Sequence, residues 1–160
     1  VFKNIASYGG NPNLIFVAGH SAGGYLTSML GLDKSYLNSY DIDSDAIAGL
    51  IPYSGHTITH FTVRSERELK WDDVRVDHMA PLAHIRKDSP PIILITGDRE
   101  LEVHGRYEEN AYFWRMLQII GHPYVELYEL EGYNHGDMAV PAHHILLKTI
   151  SKISEKITSK

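Results

Sequence analysis

At 160 residues, 43% of them hydrophobic, the chain can bury one core and predicts a single globular domain spanning 1–160. A formal net charge of -5 excludes the clustered Lys and Arg that nucleic-acid binding needs, and the lack of cysteine excludes disulfides and thiolate metal sites. No apolar run approaches the roughly 20 residues that cross a bilayer, and residues 1–6 lack a basic-then-apolar signal pattern. The default expectation is therefore a soluble, cytoplasmic protein. Because the first residue is Val1, a missing upstream segment with a secreted or periplasmic destination stays open.

In chain order, residues 1–10 read as the tail of a helix that stops at Gly9-Gly10. Leu14-Ile15-Phe16-Val17-Ala18 is short, β-branched and aromatic and predicts a buried strand, followed directly by a helix over 22–32. A second strand is predicted over 46–51. The stretch 56–77 holds Phe61, Trp71 and many charges without a period, and is a candidate cap over a pocket or a solvated surface excursion. Ile92-Ile93-Leu94-Ile95-Thr96 is a third strand. A helix over 107–120 places Tyr107, Ala111, Trp114 and Leu117 on one face and ends at Gly121; Tyr112, Phe113 and Trp114 are expected in its core. A fourth strand covers 124–130. The last helix starts near Pro141 and sets Leu146, Ile150, Ile153 and Ile157 at helical spacing. Strands separated by crossover helices imply an α/β fold with a mostly parallel sheet covered on both faces.

The motif that carries chemistry is Gly19-His20-Ser21-Ala22-Gly23, a G-x-S-x-G string between a predicted strand and a predicted helix. Such a sharp turn strains the backbone at Ser21 and tolerates only small neighbours, here Gly19, Gly23 and Gly24. It would lift the Ser21 hydroxyl above the sheet and put the Ala22 backbone N–H at a helix N-terminus, where an oxyanion is stabilised. His20 is expected to pack beside this elbow.

A serine hydroxyl needs a histidine to take its proton and a carboxylate to orient that histidine. Gly97-Asp98-Arg99-Glu100 after the third strand offers two candidate acids, Asp98 and Glu100. Gly132-Tyr133-Asn134-His135-Gly136 after the fourth offers the base, His135. The order Ser, acid, His suits an α/β-hydrolase.

Residues 15–26 (IFVAGHSAGGYL), 80–85 (APLAHI), 90–103 (PPIILITGDRELEV) and 132–136 (GYNHG) together resemble esterases and lipases of the α/β-hydrolase superfamily, above all its acetylesterase-like and carboxylesterase-like members. The resemblance implies a partial α/β-hydrolase fold, its C-terminal half, without the N-terminal strands and their H-G-G oxyanion loop. By the family's G-x-x-D-x-x-V pattern, Gly97 and Val103 point to Glu100 as the acid, with Asp98 as the alternative. The implied activity is hydrolysis of a small-molecule carboxylic ester through Ser21, Glu100 and His135, with no cofactor. Formamidase-like and prolyl-oligopeptidase-like relatives share the elbow, so a serine amidase or peptidase is the competing enzyme. An inactive fragment acting only as an interaction unit is the competing non-enzyme.

Two further expectations follow. Ten histidines, with His56 and His60 at i, i+4 and the pair His143-His144, do not place three convergent ligands, so no metal is expected. A nucleophile strand lacking its upstream neighbour would leave an open sheet edge, so a homo-oligomer, most simply a two-fold dimer, is expected.

Overall fold

Strands β1 (Phe16–His20), β2 (Gly49–Tyr53), β3 (Ile92–Gly97) and β4 (Val125–Leu130) form one sheet in the order β1-β2-β3-β4, with every neighbouring pair parallel. These come from a computed structural model that describes residues 1–103 and 105–159. The register runs from Phe16 beside Gly49 to His20 beside Tyr53, and from Ile92 beside Val125 to Gly97 beside Leu130.

The first two strands begin later than their apolar runs. Asn11 accepts a hydrogen bond from the Asn13 N–H (2.9 Å) and Asp43 from the Asp45 N–H (3.1 Å), so Pro12–Leu14 and Ser44–Ala46 close into 3-10 turns first. These side-chain-to-backbone bonds offer the chain an alternative to extended pairing.

Parallel strands need crossovers, and the helices supply them. Helix α1 (Ala22–Leu32) follows β1, the short α2 (Ser35–Asn38) and α3 (Phe61–Glu66) follow α1 and β2, α4 (Arg106–Ile119) follows β3, and α5 (Ala139–Thr158) follows β4. Alternation along the central strands splits the core in two. Leu50, Ile92 and Leu94 pack with Leu32, Phe113 and Leu117 from α1 and α4, whereas Ile51, Ile93 and Ile95 pack with Met138, Ala142 and Ile153 from α5 and the residue before it. Both faces are thus covered. Each of these central side chains is essentially sealed, and each such burial contributes about 1.5–3 kcal/mol.

On α4 the buried face is Arg106, Asn110, Phe113 and Leu117, not the predicted stripe through Tyr107, Ala111 and Trp114. Two of its four positions are polar, which a hydrophobicity pattern cannot count. Phe113 is fully buried and Trp114 packs against the core, but Tyr112 faces solvent, contrary to its expected core position. In α5, Pro141 lies in the first turn, where its missing N–H costs no intrahelical bond.

Strand β1 lies at a sheet edge. Phe16 and Val17 pack to opposite faces, as a central strand's would, yet its outer side has no strand partner among the described residues. No described helix is long and apolar enough to cross a membrane.

Candidate active site

The C-terminal ends of all four strands open to one side, where the loops bring the candidate groups together. At the end of β1, Ser21 has φ 56° and ψ -116°, a region that side-chain-bearing residues rarely enter. The turn is held by the Ser21 N–H donating to the Tyr53 carbonyl (2.8 Å) on β2 and by the Ser21 carbonyl accepting from the Tyr25 N–H (3.1 Å). A Cβ at Gly19 would stand 2.4 Å from the Gly23 carbonyl oxygen, and one at Gly24 would stand 2.7 Å from that of Tyr53. Neither obstacle is a movable side chain. Gly23 differs from the expectation that all three need be small for room: a Cβ there would meet nothing within 4 Å, and its backbone is what excludes a side chain at Gly19. Ala22 opens α1, where first-turn N–H groups have no intrahelical acceptor.

His135 follows β4 in a loop fastened at several points. The Asp98 N–H donates to the Tyr133 carbonyl (2.8 Å), the Gly132 N–H donates to the Asp98 carboxylate (2.8 Å), and Asn134 Oδ1 accepts from the N–H groups of Gly136 and Asp137. His20 donates from Nε2 to the His135 carbonyl (2.8 Å), so the residue beside Ser21 also braces the imidazole's loop. In this setting His135 Nε2 lies 2.8 Å from Ser21 Oγ.

The carboxylate on the other ring nitrogen is neither Glu100 nor Asp98. Glu102 Oε2 lies 2.8 Å from His135 Nδ1. The Leu101 and Glu102 N–H groups both donate to the Asp98 carbonyl (3.0 and 2.8 Å), so the chain makes one helical turn after β3. That turn swings Glu102 back over the sheet and leaves Glu100 outside, exposed. Asp98 instead ties the acid-bearing loop to the histidine-bearing loop, its carboxylate accepting from the Glu100 N–H (2.9 Å) and from the Gly132 N–H.

The Glu102 carboxylate is 1% exposed. Burial by itself would raise its pKa, but hydrogen bonds from His135, the Ser54 hydroxyl and the Gly97 N–H outweigh burial and hold it at about 2. Glu102 is therefore ionised at neutral pH and can accept the Nδ1 proton, leaving Nε2 free to take one from Ser21.

Ser54 is a component that no sequence motif flagged. It follows β2 at φ 44°, is fully buried, donates to Glu102 Oε1, and has its Oγ 3.0 Å from His135 Nδ1. The Arg106 guanidinium donates to the Ser54 carbonyl. The one available signal was position: a small polar residue at the C-terminal end of a strand, where α/β proteins gather functional groups.

A groove of about 860 Å³ opens beside Ser21 and His135. The stretch 56–77 supplies much of its wall, with Ile58, Phe61, Trp71 and Val74 among the lining side chains, and Val103 faces them. His56 and His60 lie edge to face at 5.0 Å. His60 Nδ1 accepts from the Thr62 N–H, and burial pushes its pKa down to about 4, so it is neutral at pH 7. His143 Nδ1 is bonded to the Ala139 carbonyl.

The surroundings of this site match known proteins over most of the chain. Esterase LipC of Mycobacterium tuberculosis is 25% identical over 157 residues, covering 83% of this chain and 37% of that protein. Esterase LipQ of the same organism is 25% identical over 154 residues, covering 84% and 35%. The chain thus spans just over a third of the length of the curated relatives it matches. Among solved structures, a truncated carbohydrate esterase from gut microbiota superposes with a TM-score of 0.77 at 16% identity, over 97% of this chain and 65% of that one. The thermophilic esterase Est2 of the Planctomycetes species Thermogutta terrifontis superposes with a TM-score of 0.71 at 21% identity, over 96% and 60%. These likenesses establish the fold as that of an α/β hydrolase, of which the four described strands are a part. The family model described as "Prolyl oligopeptidase family" matches residues 5–150, and the chain belongs to that family.

Proposed function

We propose that the chain carries the nucleophile, base and acid of a serine hydrolase that cleaves small carboxylic esters, with Ser21, His135 and Glu102 in those roles. The observation that carries this reading is the hydrogen-bonded line Ser21 Oγ, His135 Nε2, His135 Nδ1, Glu102 Oε2, with 2.8 Å at both links, beside an apolar groove.

In this reading Ser21 Oγ attacks the acyl carbon as its proton passes to His135 Nε2. The carbonyl electron pair becomes an oxyanion facing the Ala22 N–H at the start of α1. Collapse expels the alcohol, which takes the proton from His135, and leaves an acyl-Ser21 ester. Water repeats the sequence in reverse roles and frees the acid. One oxyanion donor is in hand. Lacking a second costs on the order of 10² to 10³ in rate, so full activity calls for another N–H beyond the elbow.

The ester is favoured by the names of LipC and LipQ, both esterases. The family match supports a second reading, cleavage of an amide or peptide bond by the same three groups. Comparing p-nitrophenyl acetate with an aryl-formamide and a chromogenic peptide separates them. Faster ester turnover, with a fluorophosphonate adduct mapped to Ser21, is the expected result; preferential amide turnover would transfer the assignment to the second reading, and an adduct elsewhere would remove Ser21 from it.

We also propose that β1, whose outer side has no strand partner among the described residues, pairs with a second copy of the chain. Sedimentation at micromolar concentration should return a dimer, and a stable monomer would refute this.

A further inference from the structure

The groove contains a second histidine–carboxylate pair that the hydrolytic steps leave unused. His56 lines the groove together with Ser21 and His135, is 7% exposed, and has Nδ1 2.9 and 3.0 Å from the two carboxylate oxygens of Glu109 on α4. Glu109 is held in turn by the N–H groups of Thr57 (2.9 Å) and Ile58 (3.3 Å), and Arg106 Nε lies 3.9 Å away. An ionised carboxylate only accepts, so the Nδ1 proton is donated to it and the tautomer is fixed. In the neutral ring the opposite edge, Nε2, carries a lone pair. It has no hydrogen-bond partner among the described residues and is not among the side-chain atoms sealed from solvent without one.

The ring cannot easily turn away, because it stands edge-on to His60 (5.0 Å) and Phe61 (5.7 Å). Apolar surface from Ile58, Phe61, Trp71 and Val74 lines much of the groove, alongside the charged Arg64 and Asp72. Burying a carboxylate to steer one imidazole carries a desolvation cost that plain packing avoids. A few oriented polar groups in a largely apolar lining are how ligand pockets obtain specificity.

We propose that His56 is the recognition contact of this groove: Nε2 accepts a hydrogen bond from a hydroxyl on the apolar arm of the ester, and Glu109 acts through His56 as a positioning residue. This rests on the hydrolytic reading of Ser21 and narrows its substrate class to esters with an apolar, hydroxyl-bearing arm. A site built to bond a hydroxyl discriminates against the analogue without one, because the arm then covers the acceptor and leaves it unpaired.

The test is run on the full-length protein with two series of esters, p-nitrophenyl 3-phenylpropionates and acetates of 3-phenylpropanol. Each is unsubstituted or carries one ring hydroxyl at the ortho, meta or para position. One hydroxylated member should be preferred over its unsubstituted parent by about tenfold in kcat/KM, chiefly through KM. In His56→Asn the amide nitrogen stands where Nδ1 stood and keeps the Glu109 bond, while the Nε2 edge is gone, so the ratio should fall to near one. His56→Gln places an amide group near the Nε2 position and should restore part of the preference. Glu109→Gln, which no longer demands a proton on Nδ1, should weaken it. Absence of any preference in the native protein, or a preference that survives His56→Asn in a variant that melts like the parent, would overturn the proposal. If no ester is turned over, the ester reading fails on its own, and the hydroxyl preference is read instead from Ser21 labelling rates with aryl phosphonofluoridates that carry or lack the hydroxyl.

Discussion

Glu102→Gln should reduce ester hydrolysis by about 10⁴, the order of loss that an acid-to-amide change causes in a serine-protease triad. The amide NH₂ would face Nδ1, favour the proton on Nε2, and leave Ser21 without an acceptor for its own. Kinetics at neutral pH decide this directly. The neighbouring acids give the contrast: Glu100→Gln, on the outside of the turn, should change the rate little, whereas Asp98→Asn should have an intermediate effect through the loop it pins. A larger loss at Glu100 than at Glu102 would reverse the assignment.

The same variant should alter acid sensitivity. Glu102 is held at about 2, below its ordinary 4.5, so its contribution is fully present above pH 4.5. It is lost as pH falls from 4.5 through about 2, because the unfolded chain takes up a proton that the folded one refuses. Urea unfolding across this window should show a shallower pH slope for Glu102→Gln than for the parent. An unchanged slope would mean that the carboxylate is not held as described.

Arg106→Met should lower stability by about 3–5 kcal/mol, the usual cost of removing one member of a buried charged set. The Arg106 side chain is 4% exposed. Burial weakens its hold on its proton while the negative charges of Glu109 and Glu102 strengthen it. Its guanidinium also donates to the Ser54 carbonyl, at a residue whose φ of 44° already carries strain. Methionine would fill similar volume but remove the cation 3.9 Å from the Glu109 carboxylate. A loss of this size is a large share of the about 5–15 kcal/mol that holds a domain together, and shows as a lower urea midpoint. A loss under about 1 kcal/mol would indicate that the guanidinium is in effect solvated.

How far the sequence revealed the site depended on how local each signal was. Ser21 and His135 were legible because each follows an apolar strand and sits among glycines, so position along the chain and position in space coincide. Glu102 was not, since the acid's spacing from Gly97 is set by two backbone bonds to the Asp98 carbonyl, and a tighter or looser turn would present Glu100 or Asp98 instead. Ser54 belongs to no motif and gains its place only when β2 lies between β1 and β3. The strand order itself was open until pairing was known, although strands separated by crossover helices already implied two covered faces. On α4, buried Arg106 and Asn110 displaced the expected stripe by one position because their burial is compensated by polar partners 52 and 55 residues away.

The bond from His20 to the His135 carbonyl has a kinetic meaning. Ser21 and His135 are 114 residues apart in sequence, on separate loops that a strut ties together. That bond joins the end of β1 to the loop after β4. In the proposed hydrolytic reading the imidazole thus meets the serine at a high effective molarity, which can reach about 10⁵ to 10⁸ M for well-oriented groups, and the entropy of bringing them together is spent when the chain folds, before any substrate arrives.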